Sequence, residues 1–257
     1  LVIGLLLVVA AAVAAYVLLR YRSSEQPSTN TAVSKPAEAA PAATAPLPAV
    51  TIPPLNESDD VVAGLVRQLS SHPTVAAWLT TEGLIRNFAM VVWNIADGKA
   101  PAQFLRPLRP ATRFSVVERG GDVYIDSRSY DRYTPLAEAV KSIDAKGAAQ
   151  LYATLKPRLD EAHRELGELD TPFDRTLERA VVLLLSTPIP SGALQVEPYG
   201  TGHSFADPRL ESLTRAQKQL IRMGPVNARA VQAKLRELAL AVGIPEQRLP
   251  ASEASWR

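Results

Sequence analysis

Hydrophobic and polar positions divide this chain into three regimes. The first, Leu1–Leu19 (LVIGLLLVVAAAVAAYVLL), is apolar on every side and stops at Arg20. As a helix it spans roughly 28 Å, about the hydrocarbon thickness of a bilayer. Signal peptides have shorter apolar runs and core helices carry a polar face, so residues 1–19 read as a transmembrane anchor. The small residues Ala10–Ala15 keep cleavage as the alternative. In residues 20–54 the pattern vanishes, and seven prolines from Pro27 to Pro54 lie among Ala, Ser and Thr. Such a segment cannot bury enough apolar surface to offset its ordering entropy, and it reads as a disordered linker.

The third regime, residues 55–243, has helical periodicity. Asn56 with Asp59 three positions on resembles a capping box, and Val62, Leu65, Val66 and Leu69 then share one face. Pro73 begins a short helix ending near Leu79. A longer one begins at Thr81 or Glu82, carries Leu84, Ile85, Phe88, Val91, Val92 and Ile95 on one face, and ends at Gly98. PAQFLRPLRP, Pro101–Pro110, is extended by its prolines. Two β-rich runs, Arg113–Glu118 and Asp122–Asp126, flank Gly120-Gly121 and predict a hairpin.

Thr134-Pro135 opens a helix to Ile143, and Asp144 caps another that reaches Gly167 with a kink expected at Pro157. Thr171-Pro172-Phe173-Asp174 repeats the cap, proline and acid pattern ahead of Thr176–Leu185. Ser186–Ala206 reads as irregular. Asp207-Pro208 starts a short turn, Thr214 a helix ending at Gly224, and Pro225 the last helix, ending at Gly243. The expected architecture is mainly α. It is a compact body of about eight helical segments with one small β-hairpin, followed by a flexible tail over residues 244–257.

Composition removes whole classes of chemistry. The chain has 257 residues and no cysteine, so within it there is no disulfide, thiolate zinc site, iron–sulfur cluster or thiol nucleophile. A formal net charge of +2 gives no global drive toward nucleic acid. The charge is uneven, however. Arg106, Arg109, Arg113 and Arg119 crowd one stretch, and Tyr124, Tyr130 and Tyr133 cluster with Arg128 and Arg132. Such arginines and tyrosines serve either as solvated faces that pin a hairpin to helices or as a surface that stacks a ligand.

No motif assembles a catalytic set. Asp160-Glu161-Ala162-His163 spells a helicase box, but no phosphate-cradling G-x-x-x-x-G-K-[ST] loop accompanies it, and it reads as an ordinary charged helix face. His72, His163 and His203 fall in separate elements, so no metal site or cofactor is expected. His203 and Asp207 lie in the long irregular stretch, where functional residues concentrate. The pattern Leu220–Val231, LIRMGPVNARAV, resembles half of a helix-hairpin-helix element that offers backbone N–H groups to phosphate, although Arg222 stands where that motif has its first glycine. The plain alternative is a glycine-capped helix followed by proline at the start of the next.

Several stretches together resemble one family: PPLNESDD at Pro53–Asp60, LIRNF at Leu84–Phe88, NIADGKAP at Asn94–Pro101, YDRYTPL at Tyr130–Leu136, and FADPRLESLTRAQKQLIRMGPVNARAVQAKLREL at Phe205–Leu238. It is the bacterial domain-of-unknown-function family 3014, and the resemblance covers about Pro53 to Leu240. The resemblance implies a membrane-anchored protein of Gram-negative bacteria and supplies no activity, cofactor or catalytic residue.

The expectation is therefore a single-pass inner-membrane protein that touches the bilayer through Leu1–Leu19. It presents a non-catalytic binding or scaffolding domain to an envelope protein or polymer. The domain is expected in the periplasm, although Arg20 and Arg22 taken alone point it to the cytoplasm. The alternatives are a tethered nucleic-acid binder using the Gly224-Pro225 corner, which is disfavoured, and an envelope hydrolase with carboxylates that sequence cannot pair. The candidate binding residues are Arg106, Arg109, Tyr130, Arg132, His203, Gly224 and Asn227.

Overall fold

A computed structural model describes residues 51–251, apart from the side chains of residues 102–104. The anchor at 1–19 and almost all of the 20–54 linker lie outside the described residues. Among the described residues there are ten helices and two small β-hairpins. In chain order these are α1 (Asp59–Arg67), α2 (Pro73–Trp78), α3 (Leu84–Ala96), β1 (Val116–Arg119), β2 (Asp122–Ile125), α4 (Arg128–Asp131) and α5 (Thr134–Lys141). They continue with α6 (Ala145–Glu165), α7 (Phe173–Leu185), β3 (Val196–Tyr199), β4 (Gly202–Phe205), α8 (Pro208–Glu211), α9 (Arg215–Ile221) and α10 (Pro225–Ala241). None of these helices is long and apolar enough to cross a membrane.

The body is built on α3, which packs along α6 and α7, and on α10, which packs along α5, α6 and α7. Their apolar stripes meet at Phe173. Its ring takes Phe88 edge-on at 5.3 Å, His163 edge-on at 5.5 Å and Tyr152 at 6.4 Å. Edge-to-face rings add modestly to the burial of their own apolar area. Asp144, Asp207 and Thr214 cap their helices as the sequence predicts. Asp144 accepts from the Gly147 N–H at 2.5 Å, and Thr214 forms a complete capping box with Gln217.

Other boundaries differ for identifiable reasons. Asn56 lies inside a 3-10 turn, Leu55–Glu57, and does not cap α1. Asp59 instead reaches across sequence and accepts the Gly83 and Leu84 N–H groups at 2.6 and 2.8 Å. This fixes the start of α3 at Leu84 rather than at Thr81 or Glu82. Likewise α5 begins at Thr134 with Tyr133 before it, so Thr134 is not its cap. Pro157 does not divide α6. The body also extends past both expected edges. Ile52 is buried and its carbonyl accepts from Arg158. The chain after Gly243, expected to be flexible, packs as far as Pro250: Leu249 is buried, Arg248 pairs with Glu178 at 3.2 Å, and Arg236 donates to the Pro250 carbonyl.

The single expected hairpin is two. β1 and β2 pair from Val116↔Ile125 to Arg119↔Asp122, turning on Gly120 and Gly121, both with positive φ. β3 and β4 pair from Val196↔Phe205 to Tyr199↔Gly202, within the stretch read as irregular. Pro198 lies inside β3, and proline demotes a run as a strand signal. The hairpins join where the Ile125 N–H donates to the Leu194 carbonyl at 2.9 Å and Tyr124 bridges Gln195. Ile125, Leu194, Val196, Phe205, Leu210 and Ile221 form a second small core beneath them. A two-stranded hairpin is marginal alone, and this shared core is what gives both a support. The four-residue α4 is the helix that periodicity could not show.

Candidate functional site

The junction between the hairpins and the helical body gathers the residues that sequence singled out. The Arg132 guanidinium lies over two aromatic rings, 5.4 Å from the Phe114 centroid and 4.9 Å from that of Tyr133. One Nη2–H donates to the Tyr133 hydroxyl at 3.2 Å, and that hydroxyl also accepts from Gln219 Nε2 at 2.9 Å. Arg132 Nε is buried without a protein partner. Contact with two aromatic rings and the bond to Tyr133 restrict the orientation of the guanidinium.

Phe114 carries the arrangement onward. It packs against the second core and meets the His203 ring, 5.5 Å away and tilted by 50°. The His203 carbonyl accepts from Arg222 Nη2 at 3.0 Å, and the Arg222 guanidinium lies 4.8 Å from the Phe205 ring. Burial holds the Arg222 pKa below the ordinary arginine value, with Glu211 and Tyr133 acting in the opposite sense. His203 is thus placed by stacking and through its backbone. Asp207, its neighbour in the sequence, is engaged elsewhere as the cap of α8 and in an ion pair with Arg209 at 2.9 Å.

Tyr130, Gly224 and Asn227 form a second knot beside the first. The Tyr130 ring covers Gly224, whose φ of 83° suits glycine. Asn227 Nδ2 donates to the Tyr130 carbonyl at 3.0 Å and to the Met223 carbonyl at 3.1 Å. Gly224 and Asn227 are buried. The corner that might have offered its glycine to a phosphate is therefore filled by a tyrosine. These three residues hold the exit of the first hairpin against the start of α10.

Arg132 opens onto a cleft of about 330 Å³ together with Arg109. The cleft is walled by Pro73, Pro107, Pro110 and Pro135, with Leu108 and Leu136 among the apolar groups. A 3-10 segment, Ala102–Leu108, carries Arg106 and leads into Arg109 on the cleft lining, and Arg113 follows before β1. Arg106, Arg109 and Arg113 are exposed and have no ion-pair partner among the described residues. Other cations of the body are matched, as Arg86 is by Glu165 and Lys218 by Glu211.

A smaller cavity of about 220 Å³ does bring two acids together, Asp174 and Glu178, one turn apart on α7. Both are in ion pairs. Asp174 is paired with Lys156 at 2.9 Å and accepts the Tyr152 hydroxyl, and Glu178 is held between Arg175 and Arg248. The helicase-like box is also structural. Asp160 pairs with Lys156, Glu161 with Arg158, and His163 is buried rather than on a charged exposed face. Among the described residues no group of three or more acids and histidines could hold a metal ion.

A family model described as "Protein of unknown function (DUF3014)" matches residues 84–239. The chain belongs to that family. No curated protein and no solved structure matches it. The family match runs from the start of α3 nearly to the end of α10, so it contains all seven candidate residues together with Phe114, Tyr133 and Arg222. Pro73 of the cleft wall and the Asp59 cap lie before it. Sequence reasoning missed Phe114 and Tyr133 as the pair that holds Arg132. The cluster of tyrosines and arginines around the first hairpin was the available signal.

Proposed function

We propose that this DUF3014 member is a non-catalytic binding domain of the bacterial cell envelope, anchored by residues 1–19, held off the bilayer by residues 20–54, and engaging its partner through the Arg109–Arg132 cleft. The observation that carries this reading is the chemistry of the cleft. Among the described residues its titratable side chains are two arginines, a side chain that offers hydrogen-bond donors and no acceptor. Thr74, the one hydroxyl on the lining, has no base beside it there. Such a surface holds an anionic group and does not transform it.

The anchor and linker rest on the uncharged run Leu1–Leu19 and the proline-rich stretch behind it. Fully extended, 32 residues of polyproline character reach roughly 100 Å, enough to present a domain well away from a membrane.

The test is photo-crosslinking in cells, with the full chain in its own membrane. The reactive residue replaces Arg109 in one version and exposed Leu169, away from the cleft, in another. A defined adduct from position 109 that is absent from position 169 is the expected result. No adduct from 109, or the same adduct from both, contradicts the reading.

A further inference from the structure

We infer that the Arg109–Arg132 cleft accepts a carboxylate carried on a short apolar body. This rests on the binding reading above and names the chemistry of the group that enters. Four features converge on it.

Among the described residues the polar side chains lining the cleft are Thr74, Arg109 and Arg132, all able to donate, and no acid is on the lining. The ligand's polar end is therefore an acceptor with negative charge. Arg132 lies against Phe114 and Tyr133, with Nη2 partly engaged and Nε buried, so a ligand meets its remaining guanidinium N–H groups. An arginine edge of restricted orientation matches a planar two-oxygen group through parallel hydrogen bonds. A phosphate brings a third oxygen and more charge, and it calls for more converging donors than the cleft provides.

The remaining wall rejects polar bodies. Pro73, Pro107, Pro110 and Pro135 have no backbone N–H, and Ala77, Leu108 and Leu136 contribute only hydrocarbon. A sugar placed there would lose its water without recovering hydrogen bonds. At about 330 Å³ the cleft is at the small end of ligand sites and has room for a branched alkyl group or one ring. Arg106 and Arg113, exposed and close in sequence to Arg109, add positive charge to this segment.

The experiment titrates the full chain in lipid nanodiscs with three probes of matched shape: pivalate, its neutral amide pivalamide, and tert-butylphosphonate. The readout is the Nε–Hε resonance of Arg132, which a purely structural role would leave unmoved. Pivalate is expected to shift it saturably, pivalamide to leave it unchanged, and the phosphonate to bind more weakly. Arg109→Ala, at an exposed position, should weaken pivalate about fivefold, and Arg132→Lys, which keeps the charge but loses the planar edge, about tenfold or more.

No saturable change up to about 50 mM pivalate, equal binding of pivalamide, or tighter binding of the phosphonate overturns the assignment. Should Arg132→Lys fail to fold, Arg109→Ala and the amide comparison still decide it. A partner captured from the cleft in cells, with no response to pivalate, removes the carboxylate and leaves the binding reading standing. A saturable pivalate response with no cellular adduct does the reverse.

Discussion

The Tyr130 ring lies so close over Gly224 that a β-carbon on residue 224 would stand 2.4 Å from Tyr130 Cγ. The two residues are 94 positions apart, and their contact ties the first hairpin's exit to the start of the last long helix. Gly224→Ala meets both that clash and a φ of 83°, which a side chain resists. A loss of about 3 kcal/mol in unfolding free energy is expected, measured by urea denaturation. Tyr130→Ala in the same chain should restore part of it, because the clash goes while the backbone strain stays. Equal stability of Gly224→Ala and the natural chain would remove this contact from the account of the junction.

Asp59 is a cap borrowed from another helix. Its two oxygens take the Gly83 and Leu84 N–H groups that open α3, where no local side chain does so. Asp59→Ala leaves two helix-start donors without a protein partner and should cost about 1–2 kcal/mol. Asp59→Asn, which keeps one acceptor oxygen, should cost less. Hydrogen exchange at Leu84 and Ile85 should rise in both variants before the rest of α3 responds.

His163 makes the fold sensitive to acid. Burial lowers its pKa, while Glu168, a backbone hydrogen bond at Thr171 and Asp160 favour the charged form and Arg179 opposes it. Its Nε2 has no partner, and its ring lies edge-on to Phe173. The unfolded chain binds the proton first, near the ordinary value of about 6.5. Stability from this group is therefore complete above that pH, declines as pH falls through it, and levels once the folded-state imidazole titrates at its lowered pKa. Urea midpoints between pH 7.5 and 5.5 should fall less steeply in His163→Gln than in the natural chain. Parallel slopes would mean that His163 contributes nothing to the acid response.

Arg86 and Glu165 provide the contrast. They meet through two bonds, at 2.6 and 3.0 Å, but their side chains are 38% and 44% exposed. Solvent and salt screen such a pair, so Glu165→Gln should change stability by no more than about 1 kcal/mol, and by less at high salt.

Much of the helical body was legible because local chemistry and periodicity agree in it. Asp144, Asp207 and Thr214 cap where their positions predict, and Leu84, Ile85, Phe88, Val91, Val92 and Ile95 are all buried. What escaped was set by contacts distant in sequence. Asp59 looks like the acid of a local box headed by Asn56 and instead serves α3. Val196–Phe205 lacks a clean alternation and contains Pro198, and it becomes a hairpin by docking on Ile125 and sharing its core. Tyr130, Arg132, Gly224 and Asn227 could each be picked out, yet nothing local shows that Tyr130 lies on Gly224 or that Phe114 and Tyr133 hold Arg132. In Asn227 a buried amide joined to a carbonyl 97 residues away turns a supposed surface contact into a strut.

The binding role of the cleft is most directly tested at its rim. A photoreactive residue replaces exposed Ala111, which lines the cleft beside Arg109, and adduct yield in cells is compared with and without Arg109→Glu. Urea stability is measured on both chains. An adduct that forms in the natural background and falls at least about tenfold with Arg109→Glu, at unchanged stability, is the expected result. An adduct whose yield does not depend on the charge at residue 109, or no adduct in either chain, would show that this cleft is not where the domain meets its partner.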